Sequence, residues 1–168
     1  MRILGVDPGI AITGYGVVET DGYRSSALAY GCIRTPAGLS VPERLELIYH
    51  ELQVLLARHQ PQEVAIEKLF FAKNANSAMQ VGEARGVVVL TVRIAGLQVF
   101  EYTPLQVKQA VVGYGRAEKQ QVQQMIRMQL GLDHIPRPDD AADGLAIALC
   151  HAHSRTGRTV LQRGRTYV

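Results

Sequence analysis

The sequence predicts an α/β fold in which helices flank a five-stranded mixed sheet. Segments with the two-residue period of strands alternate with segments whose apolar residues recur every three or four positions, as in helices. Three strand segments come before the first helix, and Asp21-Gly22 between the second and third predicts a hairpin turn. A helical segment then separates two later strands, and such crossovers join parallel strands. The sheet is therefore expected to combine an antiparallel three-strand meander with parallel strands.

The predicted strands are short and rich in apolar, β-branched and aromatic residues. The first ends at Asp7-Pro8-Gly9, where a turn is expected, and the fourth ends at Glu67. The strands span residues 2–6, 13–19, 26–35, 64–66 and 97–102.

The helices carry recognisable start and stop signals. Ser40 and Glu43 form a capping box before the first helix, and Pro61 interrupts its pattern. Thr103 and the proline after it begin the third helix, which Gly113 ends. The last helix is apolar nearly all round and is expected to be mostly buried. The other predicted helices and this last one cover residues 77–95, 118–130 and 140–153.

Length and composition predict one soluble domain. At 168 residues the chain can bury a core of its own, and its 47% apolar and 20% charged residues are ordinary for a globular protein. No apolar stretch approaches the roughly 20 residues of a membrane span. Cys32 and Cys150 lie far apart without a metal-binding spacing, which is typical of buried thiols in a reducing compartment. We therefore expect a cytoplasmic protein without membrane contact.

The formal net charge of +3 is concentrated at one end of the chain. Residues 154–168 contain several arginines and no acidic residue. We predict one domain over residues 1–153, followed by a basic Arg-rich tail over 154–168. Such a tail either reaches phosphate groups or only helps to keep the chain soluble.

Four carboxylates are placed where a site is expected. Asp7 and Glu67 end two predicted strands, and ligands of open α/β sheets bind outside the carboxyl ends of the strands. The two acids end side by side if their strands are parallel neighbours. Asp140 and Asp143 are three residues apart in the last helix and so share one face. The combination predicts one cluster of acids.

The cluster requires positive charge nearby. Asp143 lies within an apolar helix, where an unpaired carboxylate costs several kcal/mol, so either an Arg or Lys or a metal ion must meet it. A set of carboxylate oxygens suits Mg²⁺ or Mn²⁺, and the sequence offers no His/Cys constellation for zinc.

Each acid also has a simpler interpretation. Asp7 before Pro-Gly is a common turn former, and Asp139 or Asp140 after Pro138 is a common helix N-cap. The glycines of the segment Asp7-x-Gly-x-x-x-Thr-Gly could instead cradle a phosphate, as in the actin, Hsp70 and sugar-kinase ATPases. Those ATPases clamp ATP between two lobes, and this chain has room for one.

Several segments together resemble the RuvC family of bacterial Holliday-junction resolvases, in the right order from residue 3 to about 151. The matching segments include Asp7-Pro8-Gly9, Thr13-Gly14-Tyr15-Gly16, Gly31-Cys32-Ile33-Arg34-Thr35, Ala65-Ile66-Glu67, Phe71-Ala72-Lys73-Asn74, Gln106-Val107-Lys108, Ala117-Glu118-Lys119 and Asp140-Ala141-Ala142-Asp143. The resemblance implies a ribonuclease H-like fold, a homodimer, and a RuvA-RuvB branch-migration complex as partner.

The resemblance also implies an active site. Its four catalytic and metal-binding acids fall on Asp7, Glu67, Asp140 and Asp143, with Asp139 as a neighbouring rival of Asp140. Two Mg²⁺ ions, with Mn²⁺ as an alternative, would activate a water and stabilise the leaving 3′-oxygen in an in-line displacement. The products would carry a 5′-phosphate and a 3′-hydroxyl.

DNA-binding residues follow from the same resemblance. Lys108 and Lys119 match positions that contact DNA, where lysine gives affinity rather than sequence choice. Phe70 and Phe71 match a loop that meets unstacked bases, although one of them is expected to pack in the core instead. Further candidates are Lys73, Asn74 and Arg116.

Small residues on the second helix hint at the dimer. Ala78, Gly82 and Gly86 recur every four residues, and glycines inside a helix cost about 1 kcal/mol each against alanine. A close neighbour is therefore expected, either a twin helix across a two-fold axis or another element of the same chain. Most of the histidines are expected at the surface or at helix ends, and His151 and His153, near the last acid, are candidates to assist it.

The sequence therefore predicts a Mg²⁺-dependent, structure-selective endonuclease that nicks four-way DNA junctions in recombination and repair. An RNA-processing nuclease of the same fold is a second hypothesis, against which the Phe-Phe loop, Lys108 and Lys119 argue. A junction-binding module without catalysis is a third. The four acids argue against it, because a mere binder of phosphate gains nothing from negative charge.

Overall fold

A computed structural model describes the backbone of residues 1–68 and 75–163 and the side chains of residues 1–68 and 78–155. The described residues form one five-stranded sheet with helices on both faces. The elements are β1 (Arg2–Asp7), β2 (Ile12–Thr20), β3 (Ser25–Arg34), α1 (Val41–His59), β4 (Glu63–Glu67), α2 (Ala75–Ile94), β5 (Gln98–Tyr102), α3 (Pro104–Val112), α4 (Lys119–Gln129) and α5 (Asp139–Arg163).

The sheet has the strand order β3-β2-β1-β4-β5. β2 pairs antiparallel with both β1 and β3, whereas β1, β4 and β5 run parallel to one another. The predicted combination of a meander with parallel strands is confirmed. Because β1 and β4 are direct neighbours, their carboxyl ends lie together at one edge of the sheet.

Two apolar layers enclose the sheet. Leu4, Val6 and Ile66 face a core that includes residues of α1 and α2, while Ile3 and Ala65 face a second core built with α3, α4 and α5. Successive side chains of a strand point to opposite faces. Asp7 therefore points to the same face of the sheet as Ile3, and Glu67 to the same face as Ala65. This is the face that α5 covers.

The predicted helix signals are confirmed. Ser40 and Glu43 form the capping box of α1, and Thr103 with Gln106 forms that of α3. Gly113 ends α3 with a positive φ of 95°, a conformation that glycine adopts without strain. None of the helices in the described part of the chain combines the length and apolar character needed to cross a membrane.

The last helix differs from its predicted limits. α5 begins at Asp139 and continues to Arg163, whereas the sequence predicted an end at His153. The basic residues beyond 153 do not stop it, because positive charge is favourable near a helix C-terminus. The division into a domain over 1–153 and a tail over 154–168 stays a prediction. Cys150 is buried as predicted, but Cys32 is only half-buried; both are free thiols.

Candidate active site

Strand pairing brings the first two acids together. The register between β1 and β4 aligns Val6 with Ile66, so Asp7 and Glu67 follow as the next positions of neighbouring strands. Both are half-buried. As predicted, they stand side by side at the carboxyl edge of the sheet.

Glycines allow α5 to approach this edge closely. A Cβ atom at Gly14 would overlap the backbone carbonyl of Asp140, and one at Gly144 would overlap the backbone of Tyr15. The helix therefore rests on the backbone of β2, which places Asp140 and Asp143 beside the strand-end acids. Gly14 thus packs against α5, the role that sequence reasoning missed when it considered the glycines as a phosphate cradle. The signal was Gly14 and Gly16, two apart on one face of a strand.

The loop after Asp7 is tied back to the sheet. The hydroxyl of the buried Thr13 donates to the Gly9 carbonyl at 2.8 Å, and that of Thr35 donates to the Ile10 carbonyl at 2.6 Å. Buried side-chain hydrogen bonds of this kind hold a loop in one conformation. The position of Asp7 is therefore fixed from both sides.

The acids repel one another in a partly desolvated place. Burial, followed by the charges of Asp143 and Asp140, raises the pKa of Asp7 to about 6. Burial, then Asp7 and Asp143, raises the pKa of Glu67 to about 7. Burial also raises the pKa of Asp143, although Lys119 opposes this change. Such raised values arise where carboxylates share a site, as at many catalytic centres.

Lys119 supplies the positive charge that Asp143 was predicted to need. Its Nζ lies 3.2 Å from Asp143 Oδ2 and 3.6 Å from Asp139 Oδ2. Burial lowers the pKa of Lys119, but the charge of Asp143 and its hydrogen bond more than offset this and raise it. The ammonium therefore stays charged within the cluster.

Asp139 and Asp140 are distinguished by their partners. The pKa of Asp139 is lowered, first by the nearby Gln123 amide and then by the charges of Lys119 and Arg137. The buried Gln123 Nε2 makes no well-formed hydrogen bond, but its partial positive charge favours the ionised Asp139 carboxylate. Arg137 Nη1 donates to Asp139 Oδ1 at 2.6 Å. Asp139 thus pairs with two cations of this chain, whereas the charge of Asp140 reaches Asp7 and raises its pKa.

A cleft of about 230 Å³ opens at the acids. Its walls come from the ends of β1 and β4 and from α3, α4 and α5. They are formed by Asp7, Glu67, Pro104, Val107, Lys108, Lys119, Val122, Asp143, Ala146 and Ile147. The predicted lysines 108 and 119 both line this cleft. Arg116 is exposed on the loop between α3 and α4.

The prediction for His151 is wrong. This residue is only 2% exposed, where a surface or helix-end position was expected. Its Nε2 donates to Glu63 Oε2 at 2.6 Å, Nδ1 lies 2.7 Å from the Tyr102 hydroxyl, and its ring packs on Phe100 at 4.3 Å between centroids. Glu63 begins β4, so His151 belongs to the opposite end of that strand from Glu67 and does not assist the acids. The apolar helix around it was the signal for burial.

Four predicted residues lie outside the described part of the chain. These are Phe70, Phe71, Lys73 and Asn74.

The donor set fits a hard divalent cation. All four predicted ligands are carboxylates, which prefer Mg²⁺ and Mn²⁺. Burial and then the neighbouring acids raise the pKa values of Asp7 and Glu67, and a bound cation would offset both effects. Among the described side chains, no three of the His, Cys, Asp and Glu residues are already gathered into a ready-made metal site.

Parallel strands ending in acids, covered by a helix that adds two more, define a ribonuclease H-like fold with a carboxylate site. Comparison with known proteins agrees. The family model for crossover junction endodeoxyribonuclease RuvC matches residues 3–151. RuvC of Desulfitobacterium hafniense is 59% identical over 154 residues, which cover 92% of this chain and 93% of that protein. RuvC of Caldanaerobacter subterraneus is 53% identical over 165 residues, 98% of this chain and all of that protein.

Solved structures give the same result. The structure of T. thermophilus RuvC in complex with Holliday junction substrate superposes with a TM-score of 0.90 at 39% identity, over 95% of this chain and 97% of that chain. The yeast mitochondrial Holliday junction resolvase Ydc2 shares the fold, with a TM-score of 0.69 at 14% identity, over 99% of this chain and 86% of that chain. The chain belongs to the RuvC family of crossover junction endodeoxyribonucleases.

Proposed function

We propose that this protein resolves four-way DNA junctions by paired symmetric nicks, with divalent cations bound by Asp7, Glu67, Asp140 and Asp143. The observation that carries the proposal is the excess of carboxylate over cation in one partly buried cleft. Burial, followed by the charges of the neighbouring acids, raises the pKa of Asp7 to about 6 and that of Glu67 to about 7. Unbalanced negative charge destabilises a fold, whereas it favours the binding of a divalent cation.

The four acids would hold Mg²⁺, two ions in each site, with Mn²⁺ as an alternative. When bound, such ions activate water and stabilise the charge that develops on phosphate and on the leaving 3′-oxygen. The protein positions the ligands: β1 and β4 fix Asp7 and Glu67, and the close packing of α5 on Gly14 fixes Asp140 and Asp143. We expect a 5′-phosphate and a 3′-hydroxyl at each nick.

The surroundings of the cleft suit a phosphate backbone. Lys108 and Lys119 line it, and the exposed Arg116 lies on the loop that joins their two helices. We propose that these residues contact phosphates, which gives affinity and register without sequence choice. We propose that one of Phe70 and Phe71 stacks on unstacked bases at the crossover, and that Lys73 and Asn74 contact nearby bases or phosphates.

We propose a homodimer whose two sites match the two strands to be cut. The outer surface of α2 exposes Met79, Leu90 and Ile94, whose exposed fractions are 64%, 59% and 64%. A Cβ atom at Gly86 would meet nothing within 4 Å, so no neighbour among the described residues requires a glycine there. An apolar helix face with a glycine allows a second copy to pack closely.

We also propose that the protein acts in the cytoplasm and that a RuvA-RuvB complex is its partner.

The test is strand nicking of a synthetic four-way junction beside a linear duplex and an RNA–DNA hybrid. Reactions contain Mg²⁺ or EDTA, and the Asp7→Asn variant serves as the matched control. We expect symmetric nicks in the junction alone, in Mg²⁺ alone, and a loss of about 10²–10³-fold or more for the variant.

Each other outcome points to a different function. Cleavage of the hybrid in place of the junction would identify an RNA-processing nuclease. Tight junction binding without nicks in any divalent metal would identify a binding module. Nicking that persists in EDTA or in Asp7→Asn would refute the metal site.

A further inference from the structure

Lys119 occupies a distinctive position at the edge of the acid cluster. It is the first residue of α4, and its ammonium bridges two aspartates of α5. Nζ lies 3.2 Å from Asp143 Oδ2 and 3.6 Å from Asp139 Oδ2. The side chain remains 54% exposed. A lysine held by its tip at an open cleft is free to exchange one partner for another, because its long stem has many rotamers.

The two partners of this ammonium differ in kind. Asp143 is a member of the proposed metal-binding set. Asp139 is fixed by Arg137 through its other oxygen, Oδ1, at 2.6 Å. The lysine thus touches one ligand of the proposed metal site and one carboxylate held outside it.

A divalent cation at the four acids and Lys119 would both use the carboxylate of Asp143. A cation held by this carboxylate would lie close to the ammonium, and like charges at short range repel each other. Metal binding at Asp143 therefore requires the ammonium to withdraw. Phosphate of a bound DNA strand is the natural new partner, because the same cleft is lined by Lys108.

We propose that Lys119 is an exchangeable counter-cation, which neutralises Asp143 in the metal-free protein and is released to bind DNA phosphate when metal binds. The proposal rests on the metal site proposed above. It makes metal binding and junction binding mutually dependent, since the lysine adds little to DNA affinity while two carboxylates hold it. Thermodynamic linkage requires each ligand to strengthen binding of the other by the same factor.

The first arm of the test measures Mn²⁺ binding to the full chain at pH 8 without DNA, by calorimetry or by the paramagnetic resonance of free Mn²⁺. The variants are Lys119→Met, the control Arg127→Met on the same helix but outside the cleft-lining residues, and Asp7→Asn. We expect Lys119→Met to bind Mn²⁺ on the order of tenfold more tightly than the wild type. Arg127→Met should bind as the wild type does, and Asp7→Asn should bind more weakly.

The second arm measures the salt dependence of junction binding in EDTA and in Ca²⁺. In EDTA, Lys119→Met should match the wild type. In Ca²⁺ it should bind more weakly, with a salt slope smaller by about 1 because one phosphate contact is missing. Lys108→Met should weaken binding in both conditions.

The outcomes separate the two proposals. If Asp7→Asn weakens Mn²⁺ binding while Lys119→Met leaves it unchanged or weaker, the metal site stands and the exchange is refuted. Equal losses of junction affinity for Lys119→Met in EDTA and in Ca²⁺ refute the exchange as well. If the wild type and Lys119→Met both fail to bind Mn²⁺, the metal site itself is refuted.

Discussion

The two ends of β4 carry the same residue on the same face of the sheet, in opposite electrostatic surroundings. Glu63 at the beginning accepts hydrogen bonds from His151 at 2.6 Å and from Arg155 at 3.0 Å. Glu67 at the end faces Asp7 and Asp143, which together with burial raise its pKa to about 7. Among the described residues, Glu67 makes no ion pair, whereas Glu63 makes an ion pair with Arg155 and a hydrogen bond with His151.

The difference shows how a structural carboxylate and a functional one are told apart. Helix α5 supplies partners at both ends: the hydrogen-bond donors His151 and Arg155 at Glu63, and the further acid Asp143 at Glu67. Around Glu63 the charge is balanced within the chain, so the interactions stabilise the packing of α5 on the sheet. Around Glu67 the balance is left to a ligand.

The largest expected effects come from the same change at the two ends. Glu67→Gln should lower junction cleavage by about 10²–10³-fold or more, because it removes a proposed metal ligand, and should leave thermal stability equal or higher. Glu63→Gln should retain cleavage at 25 °C and lower the free energy of unfolding by about 1–3 kcal/mol, because a neutral amide replaces the carboxylate that accepts hydrogen bonds from His151 and from the half-exposed Arg155. Nicking assays and urea unfolding measure the two effects. Loss of stability in Glu67→Gln would place that acid among the structural ones.

A glycine substitution tests how α5 presents its acids. Gly14→Ala should lower the free energy of unfolding by about 3 kcal/mol, because the new methyl group overlaps the Asp140 backbone. It should also reduce cleavage, because α5 moves and takes its two acids with it. Gly38→Ala is the control, since a Cβ there meets nothing within 4 Å. The same unfolding and nicking measurements apply. Equal stability of the two variants would contradict the close contact of α5 with β2.

The pH dependence of stability tests the charge imbalance. The pKa values of Asp7 and Glu67 are raised from 3.8 and 4.5 to about 6 and about 7, so their contribution to stability is complete below the unfolded values and is lost as pH rises through the folded ones. Without metal, the free energy of unfolding should therefore fall by about 2 kcal/mol between pH 5 and pH 8, once solvent screening is allowed for. Asp7→Asn should show a shallower fall, and saturating Mg²⁺ should offset it.

Denaturant titrations across this range, with and without EDTA, measure the effect. A stability that rises from pH 5 to pH 8 equally in wild type and Asp7→Asn would contradict the imbalance.

The smallest effect concerns the rim of the cleft. Lys108→Ala should weaken junction binding about three- to tenfold at moderate salt and reduce the salt slope by about 1, since one phosphate contact is lost. Fluorescence anisotropy with a labelled junction at several salt concentrations measures both quantities. Arg127→Ala, on α4 away from the cleft-lining residues, is the control. A salt slope unchanged by Lys108→Ala would remove this lysine from the interface.

Much of the fold and the acid cluster could be predicted from local pattern alone. The periodicity of the strands placed Asp7 and Glu67 at strand ends, and the crossover through α2 predicted that β4 and β5 run parallel. That β1 and β4 are parallel neighbours was only a condition, which the structure meets. Capping signals at Ser40 and Thr103 depend only on neighbouring residues and were correct. The resemblance of motifs added the roles.

Features that depend on contacts between distant segments could not be predicted in this way. The burial of His151 could be predicted from its apolar helix, but its partner Glu63, 88 residues away, could not, because nothing near His151 in the sequence indicates that contact. Lys119 was expected at DNA, but its pairing with Asp143 depends on how α4 and α5 pack. The function of Gly14 depends likewise on the helix that crosses it.

The most direct test of the central claim is anomalous diffraction from crystals of the protein soaked in Mn²⁺. The unbalanced acids should bind Mn²⁺ and the balanced cluster should not. We predict anomalous density among Asp7, Glu67, Asp140 and Asp143, and none at Glu63 and His151. Mn²⁺ absent from the four acids in crystals that leave the cleft open, or bound at Glu63 instead, would contradict the account.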